Sequence, residues 1–309
     1  MILAAILGRL LRAASVLLVA VALAWAFALA AFDPLAALGP DATAVQRAAA
    51  ATLFGLDRPL PEQFLSFLLH AAEGDFGVST RLAQPVGPLL AERLPATVAL
   101  ASLALAISLA VGLAGGVLAA LRPRARSTWL LLAASRLGLA MPAFLAGTFV
   151  LLAAATVGAL PATGGAALLL PAATLSIFPS SHLLRVVRAA TTQAMASDHV
   201  RFARARGLSN GVALRHALAN AMVPVARAAR AHLASLIALC VVTESVFRWP
   251  GLGQMLVLSV QAADVPVLTA YLILLAALFV AIGVATDLLR LALDPQEWVP
   301  PAKSAKVAA

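Results

Sequence analysis

Of the ionisable side chains inside apolar stretches of this sequence, where a charge is expensive and a polar group needs a reason to be present, three could do chemistry. They are His182, His232 and Glu244. Imidazole is a good ligand for nickel, so His232 could contact a cation, and His182 could line a translocation path. Glu244 could serve a gate, a structural contact or direct solute binding. A lone histidine is not a metal site, so the metal question stays open. No HExxH run, no paired acids and no nucleophile–base arrangement is found in the apolar stretches, which argues against an intramembrane enzyme. No GxxxxGK[ST] run occurs, so the chain supplies no site of that kind for ATP. Cys240 is the single cysteine, so no disulfide can form within the chain and no cysteine-based metal site exists.

The segment Asp198–Pro224 is different in kind. It is arginine-rich, with Arg201, Arg204, Arg206 and Arg215 against one acid, Asp198, and it interrupts two apolar stretches. Docking to a soluble partner at a membrane face explains it better than solvation alone. Ser197 or Asp198 can cap a helix start, and Gly207 can end that helix in the left-handed conformation. Within it Val200, Ala203 and Gly207 fall near one face, while Phe202 and Arg206 share another. Small residues would permit close docking, Phe202 would anchor and the arginines would orient.

The elements that hold these residues are membrane spans. The 309 residues are 62% hydrophobic and 11% charged, with a mean hydropathy of +0.98, whereas soluble domains carry roughly 25% charged residues. Six stretches approach the ~20 apolar residues a spanning helix needs: Leu10–Phe32, Thr97–Leu121, Trp129–Val157, Leu168–Val187, Ala226–Phe247 and Val267–Leu291. The fourth is the weakest and is expected to kink, since it holds Pro171 and Pro179. The first is longer than the apolar core of a signal peptide and reads as a retained anchor.

The net charge of +9 does not indicate nucleic acid, because the arginines gather at span ends: Arg9 and Arg12, then Arg122, Arg124 and Arg126, then Arg185 through Arg230. Residues 33–96 carry seven acids and four arginines. Positive-inside places both termini and the Asp198–Pro224 segment in the cytoplasm. Residues 33–96 read as a folded external loop with short helices over Ala42–Phe54 and Pro61–Ala72. Arg136, in the third span, is expected to snorkel to the cytoplasmic side. Trp249-Pro250-Gly251 is expected to turn at the external interface.

Several blocks in order carry a family resemblance: Phe54-Gly55-Leu56-Asp57-Arg58-Pro59-Leu60-Pro61-Glu62-Gln63-Phe64, Gly74-Asp75-Phe76-Gly77, Glu92-Arg93-Leu94-Pro95-Ala96-Thr97, the Asp198–Pro224 segment with Gly207 and Val223-Pro224, Glu244 through Gly253, and Leu293-Asp294-Pro295. Together they resemble the permease subunit of dipeptide, oligopeptide and nickel ABC importers, the member with the long first external loop. The resemblance covers residues 1–298. It implies an all-α polytopic membrane protein with six transmembrane helices, a type I importer fold with an N-terminal anchor. Its parts would be an anchor at 1–32, an external loop at 33–96, a transmembrane domain at 97–293 containing the coupling loop 188–225, and a cytoplasmic tail at 294–309.

The resemblance also implies a bacterial inner-membrane location, a second homologous permease, two ATP-binding subunits that carry ATP and Mg, and an extracytoplasmic solute-binding protein. ATPase coupling would fall to Asp198, Val200, Phe202, Ala203, Arg204, Arg206, Gly207, Leu208 and Pro224, and a path or gate to His182, His232 and Glu244. The solute would be a peptide, nickel or a similar small molecule. Departures lie at Arg201, where other branches carry an acid, and at His199 and Phe202; they bear on partner choice. The alternative class is a secondary transporter driven by an ion gradient, which would want buried acids near the midplane; Asp287, the main other acid noted, sits towards a span end.

Overall fold

A computed structural model describes residues 2–31, 35, 43–53, 56–158, 165–207 and 209–293. Eleven helices follow in order among these: α1 (Ile2–Ala31), α2 (Ala44–Leu53), α3 (Leu60–Ala72), α4 (Val86–Leu121), α5 (Arg126–Ala140), α6 (Ala143–Thr156), α7 (Gly165–Met195), α8 (Asp198–Ala205), α9 (Asn210–Phe247), α10 (Leu252–Gln261) and α11 (Val265–Leu293). The tail from 294 on lies outside the described residues.

Helices α1, α4, α7, α9 and α11 each hold a window long and apolar enough to cross a bilayer. The third expected span is not one straight helix. Helices α5 and α6 form a broken pair bent by 115°, and the break falls at Met141-Pro142, with Pro142 as the N-cap residue of α6. Proline has no N–H to give and its ring crowds the preceding turn, so the chain turns there. By contrast α7 runs unbroken through Pro171 and Pro179, and α9 through Pro224. Both α7 prolines are fully buried among neighbouring helices, whose packing outweighs the lost backbone bond.

Element ends can be compared with expectation in three places. Helix α4 begins at Val86 rather than Thr97, so the last part of the expected external loop is helical and carries Pro95 inside it. The two short external helices are present as α2 and α3, starting within about two residues of expectation. The Asp198–Pro224 segment opens with the expected short helix, α8, and continues as the first turns of α9.

The bundle is built around α4, α7 and α9. Gly112, Gly115 and Gly116 let α4 lie against α7: a Cβ on Gly112 would stand 2.8 Å from Leu183, and one on Gly116 2.6 Å from Val187. Lipid tails are as apolar as leucine, so close backbone approach replaces the hydrophobic drive between such helices. Buried clusters succeed one another along the bundle. Leu183, Val187, Val200, Ala217 and Val225 lie at one end. Leu100, Leu175, Leu236 and Cys240 follow. Val86, Leu252, Val267 and Tyr271 close the other end.

Helix α1 stands at the edge. It packs on α11, burying Val21 and Ala24 while most of its large apolar side chains face outward. Its Trp25 meets Phe64 of α3 edge-on at 5.3 Å.

Candidate functional site: the coupling helix and the polar nodes of the bundle

Helix α8 begins where Ser197 O accepts from Val200 N and Arg201 N, and it ends where Gly207 takes φ +78°. A residue with a Cβ reaches that conformation only at a cost of ~1–2 kcal/mol, so glycine sets the stop. Eight residues make about two turns. Val200 is wholly buried and Ala203 nearly so. Val200 enters the cluster formed by the end of α7 (Val187, Ala190, Ala194) and the start of α9 (Ala217, Ala221, Val225).

The opposite face is open. Phe202 is 58% exposed, and the Arg206 guanidinium lies over its ring at 4.4 Å, a cation–π contact. Arg201 pairs with Asp198 at 3.6 Å on the surface. The helix is thus fixed to two spans by its apolar side and presents an aromatic, basic side outward. Gly207 and Pro224 are exposed as well, Pro224 lying within α9. Leu208 lies outside the described residues, as do the side chains of His199 and Arg204.

At the other end of the bundle Glu244 has no exposed surface. The reason lies in the backbone that follows. Arg248 takes φ +51°, Trp249 N returns to Glu244 O at 2.8 Å, and Pro250 prevents continuation, so α9 stops and the chain reverses. Helix α10 then follows with Gly251 as its N-cap residue, which has no side chain to satisfy the free N–H groups of the first turn. Glu244 supplies the acceptor instead: its Oε2 accepts from Gly253 N at 2.6 Å and Gln254 N at 3.1 Å. Thr97 of α4 completes the set, accepting from Leu252 N at 2.8 Å and donating to Glu244 Oε1 at 2.7 Å.

Glycine is required twice here. A Cβ at Gly251 would overlap the Glu244 carboxylate, and one at Gly253 would stand 2.6 Å from Val241 Cα. Trp249 Nε1 donates to Ala96 O at 2.9 Å, tying the same turn to α4. The Glu244–Gly253 block therefore encodes a helix cap assembled from three helices.

A second carboxylate, which sequence reading passed over, holds the external segment. Asp264 is the corner between α10 and α11 and is buried. It accepts from Ser79 Oγ–H, from Thr80 N at 3.2 Å and from Arg81 N at 3.4 Å. These donors belong to a short reversal in which Ser79 N donates to Gln84 O and Val86 N to Gly77 O, each at 2.9 Å. The sequence shows only an Asp directly before Val265-Pro266, with nothing to mark its donors at 79–81.

His232 is buried, and its Nε2 is 3.0 Å from Ser108 Oγ on α4. Ser108 donates its own hydroxyl proton to Leu105 O. Nε2 is therefore assigned the proton, and Nδ1 is an acceptor with no partner among the described residues. His182 of α7 is half-buried. Among the described residues no group of three or more His, Cys, Asp or Glu could hold a metal ion. A cavity of about 500 Å³ opens between α4, α9 and α11, lined by Thr97, Leu105, Leu236, Cys240, Tyr271 and Leu278; His182, His232 and Glu244 do not line it. Arg136 is exposed on α5.

Residues 112–298 match the family described as "Binding-protein-dependent transport system inner membrane component". The chain belongs to that family. This permease is 37% identical over 258 residues to a putative peptide transport system permease protein of Brucella abortus (strain 2308), covering 78% of this chain and 81% of that protein. It is 34% identical over 265 residues to the glutathione transport system permease protein GsiC of Shigella flexneri serotype 5b (strain 8401), covering 83% and 86%. GsiC of Escherichia coli (strain K12) shares 33% over the same length. The chain is an ABC importer permease with the family's all-helical fold, a multi-pass inner-membrane transport subunit rather than a secondary transporter. Importers of this kind work with ATPase and binding-protein subunits.

Proposed function

We propose that this permease forms half of the pathway for a peptide-class solute, and that α8 is the element through which ATP hydrolysis on a partner reaches the spans. The observation that carries the reading is the two-sidedness of α8: Val200 locked into the ends of α7 and α9, Phe202 and Arg206 turned outward. A helix held this way moves with the spans when a partner pushes on its free face. The partner set is a second homologous permease, two ATP-binding subunits holding ATP and Mg, and an extracytoplasmic solute-binding protein. Closure of the ATPase pair on ATP would draw the coupling helices together and rock the bundles between inward- and outward-facing forms. Both termini lie in the cytoplasm on this reading, as the arginines at span ends require.

The peptide class is supported by the printed names of the two kinds of relative. Glu244 then acts on the gate indirectly, by fixing α10 at the external mouth, and His182 and His232 lie among the spans as candidate path groups. The test is uptake of a labelled dipeptide pool and of labelled nickel in a deletion strain complemented with the native gene or with Phe202→Glu. ATP-dependent peptide uptake should be restored by the native gene alone. Phe202→Glu should leave the protein folded in the membrane and lower uptake at least about tenfold, the loss of ~1.4 kcal/mol or more of docking energy. Full uptake by Phe202→Glu would remove α8 as the coupling element, and restored nickel without peptide would replace the solute class.

A further inference from the structure

Where α1 comes near α9 and α11, the structure forms an open-sided cavity of about 220 Å³ whose polar wall is cationic: among the described residues, Arg9, Arg12 and Arg230 stand against one carboxylate, that of Asp287. We propose that this cavity binds the phosphate headgroup of an anionic phospholipid, which fastens the peripheral helix α1 to the bundle.

The depth is right for a headgroup. Measured along the helix axis at 1.5 Å per residue, Arg12 to Ala31, Arg230 to Phe247 and Val265 to Asp287 each span about 25–35 Å. A hydrocarbon core is about 30 Å thick, so the four charged groups sit together at one of its boundaries. The arginine-rich segments α4–α5 and α8 belong to that same side by the distribution of positive charge.

The charge is unbalanced. Three guanidiniums face one carboxylate, and Arg9 Nη1 is shut off from solvent with no hydrogen-bond partner among the described residues. A buried guanidinium donor without an acceptor is costly. A phosphate oxygen is the acceptor whose shape and charge suit it, and basic pockets between transmembrane helices on the cytoplasmic side take such headgroups. The shape is also built rather than incidental. Arg230 crosses α11 at Gly283, where a Cβ would stand 2.5 Å from Arg230 Nη2, so the glycine leaves the room that lets the α9 guanidinium reach the cavity. The apolar wall, Val16 with Val280 and Val284, suits the glycerol and upper acyl chain. Helix α1 otherwise buries little, so a ligand bridging α1 to α9 and α11 has work to do.

The assembled transporter, purified with its partner subunits in detergent, can be titrated with phosphatidylglycerol, phosphatidylcholine and inorganic phosphate and read by native mass spectrometry. Phosphatidylglycerol should be retained over phosphatidylcholine by at least about fivefold. Arg9→Gln/Arg12→Gln should abolish the preference. Arg9→Lys/Arg12→Lys should keep most of it, and Arg124→Gln, on the exposed α4–α5 turn, should leave it unchanged. Equal retention of the two lipids, or an undiminished preference in the double Gln variant, overturns the proposal. Displacement of phosphatidylglycerol by millimolar inorganic phosphate assigns the site to a free anion and overturns the lipid source. If the double Gln variant does not assemble, the headgroup comparison on the native transporter decides alone.

Discussion

Glu244 shows how one side chain can be costly in isolation and well placed in context. An acid within a span demands compensation, and here two backbone N–H groups and a threonine hydroxyl provide it. Charge-assisted hydrogen bonds of this sort are worth ~1.5–3 kcal/mol each. Glu244→Gln keeps the volume but would place an amide nitrogen where either oxygen now accepts. Purified transporter carrying Glu244→Gln should unfold at lower temperature than native, and Thr97→Val likewise. Because Thr97 and Glu244 share one network, the two effects should not add: a double-mutant cycle should give a coupling of about 1 kcal/mol or more. Strict additivity would show that the Thr97 contact contributes nothing. The type and position of Glu244 were legible in the sequence, as was the turn after it. Its donors were not, because Thr97 lies far away in the chain and only the packing of α4 on α9 brings the two together.

Among the elements, α8 and the external reversal at 78–85 show the same logic at opposite ends. Each is a short piece held by few contacts, and each would come loose if its anchor were removed. For the external reversal the anchor is Asp264. Asp264→Ala removes the acceptor for Ser79, Thr80 and Arg81 and should cost about 2–3 kcal/mol locally. Backbone hydrogen exchange over residues 75–85 should then quicken by roughly 30- to 150-fold, while α7 and α9 stay protected. Unchanged exchange would mean that the reversal is held by α4 alone. Of these two elements, α8 could be read in advance from its terminal glycine and the spacing of Val200, Ala203 and Phe202. The Asp264 anchor could not, since one acid before a proline carries no information about what reaches it from the other side of the molecule.

The bundle as a whole rests on how closely α4 can approach α7. Gly112 and Gly116 stand four apart on one face of α4, and Leu183, Leu184 and Val187 fill the space that their missing side chains leave. Gly116→Val would press methyl groups against Val187 and the Leu184 carbonyl. Overpacking of this kind costs ~1–3 kcal/mol and more where backbone is struck. The variant should be recovered from membranes in lower yield and elute as aggregate on size-exclusion chromatography, whereas Gly8→Ala, where nothing lies within 4 Å, should behave as native. A monodisperse Gly116→Val transporter would show that α4 and α7 have room to move apart. The spacing Gly112-x-x-x-Gly116 was visible in the sequence, yet the helix it faces was not.

By itself the sequence determined the class of solvent, the positions of the spans and the basic segment between two of them, because these follow from hydropathy and charge that each residue carries wherever it sits. It also carried the short helix Asp198–Ala205, whose start, stop and two faces are local. Only the tertiary structure decided that the third span is a pair broken by 115° at Pro142 while Pro171, Pro179 and Pro224 leave their helices unbroken. A proline's effect depends on whether neighbouring helices support the backbone it disrupts. The partners of Glu244, Asp264 and His232, and the gathering of Arg9, Arg12 and Arg230 around one cavity, were likewise fixed by packing. Those contacts join residues far apart in the chain, and no local rule of spacing or composition reaches across such distances.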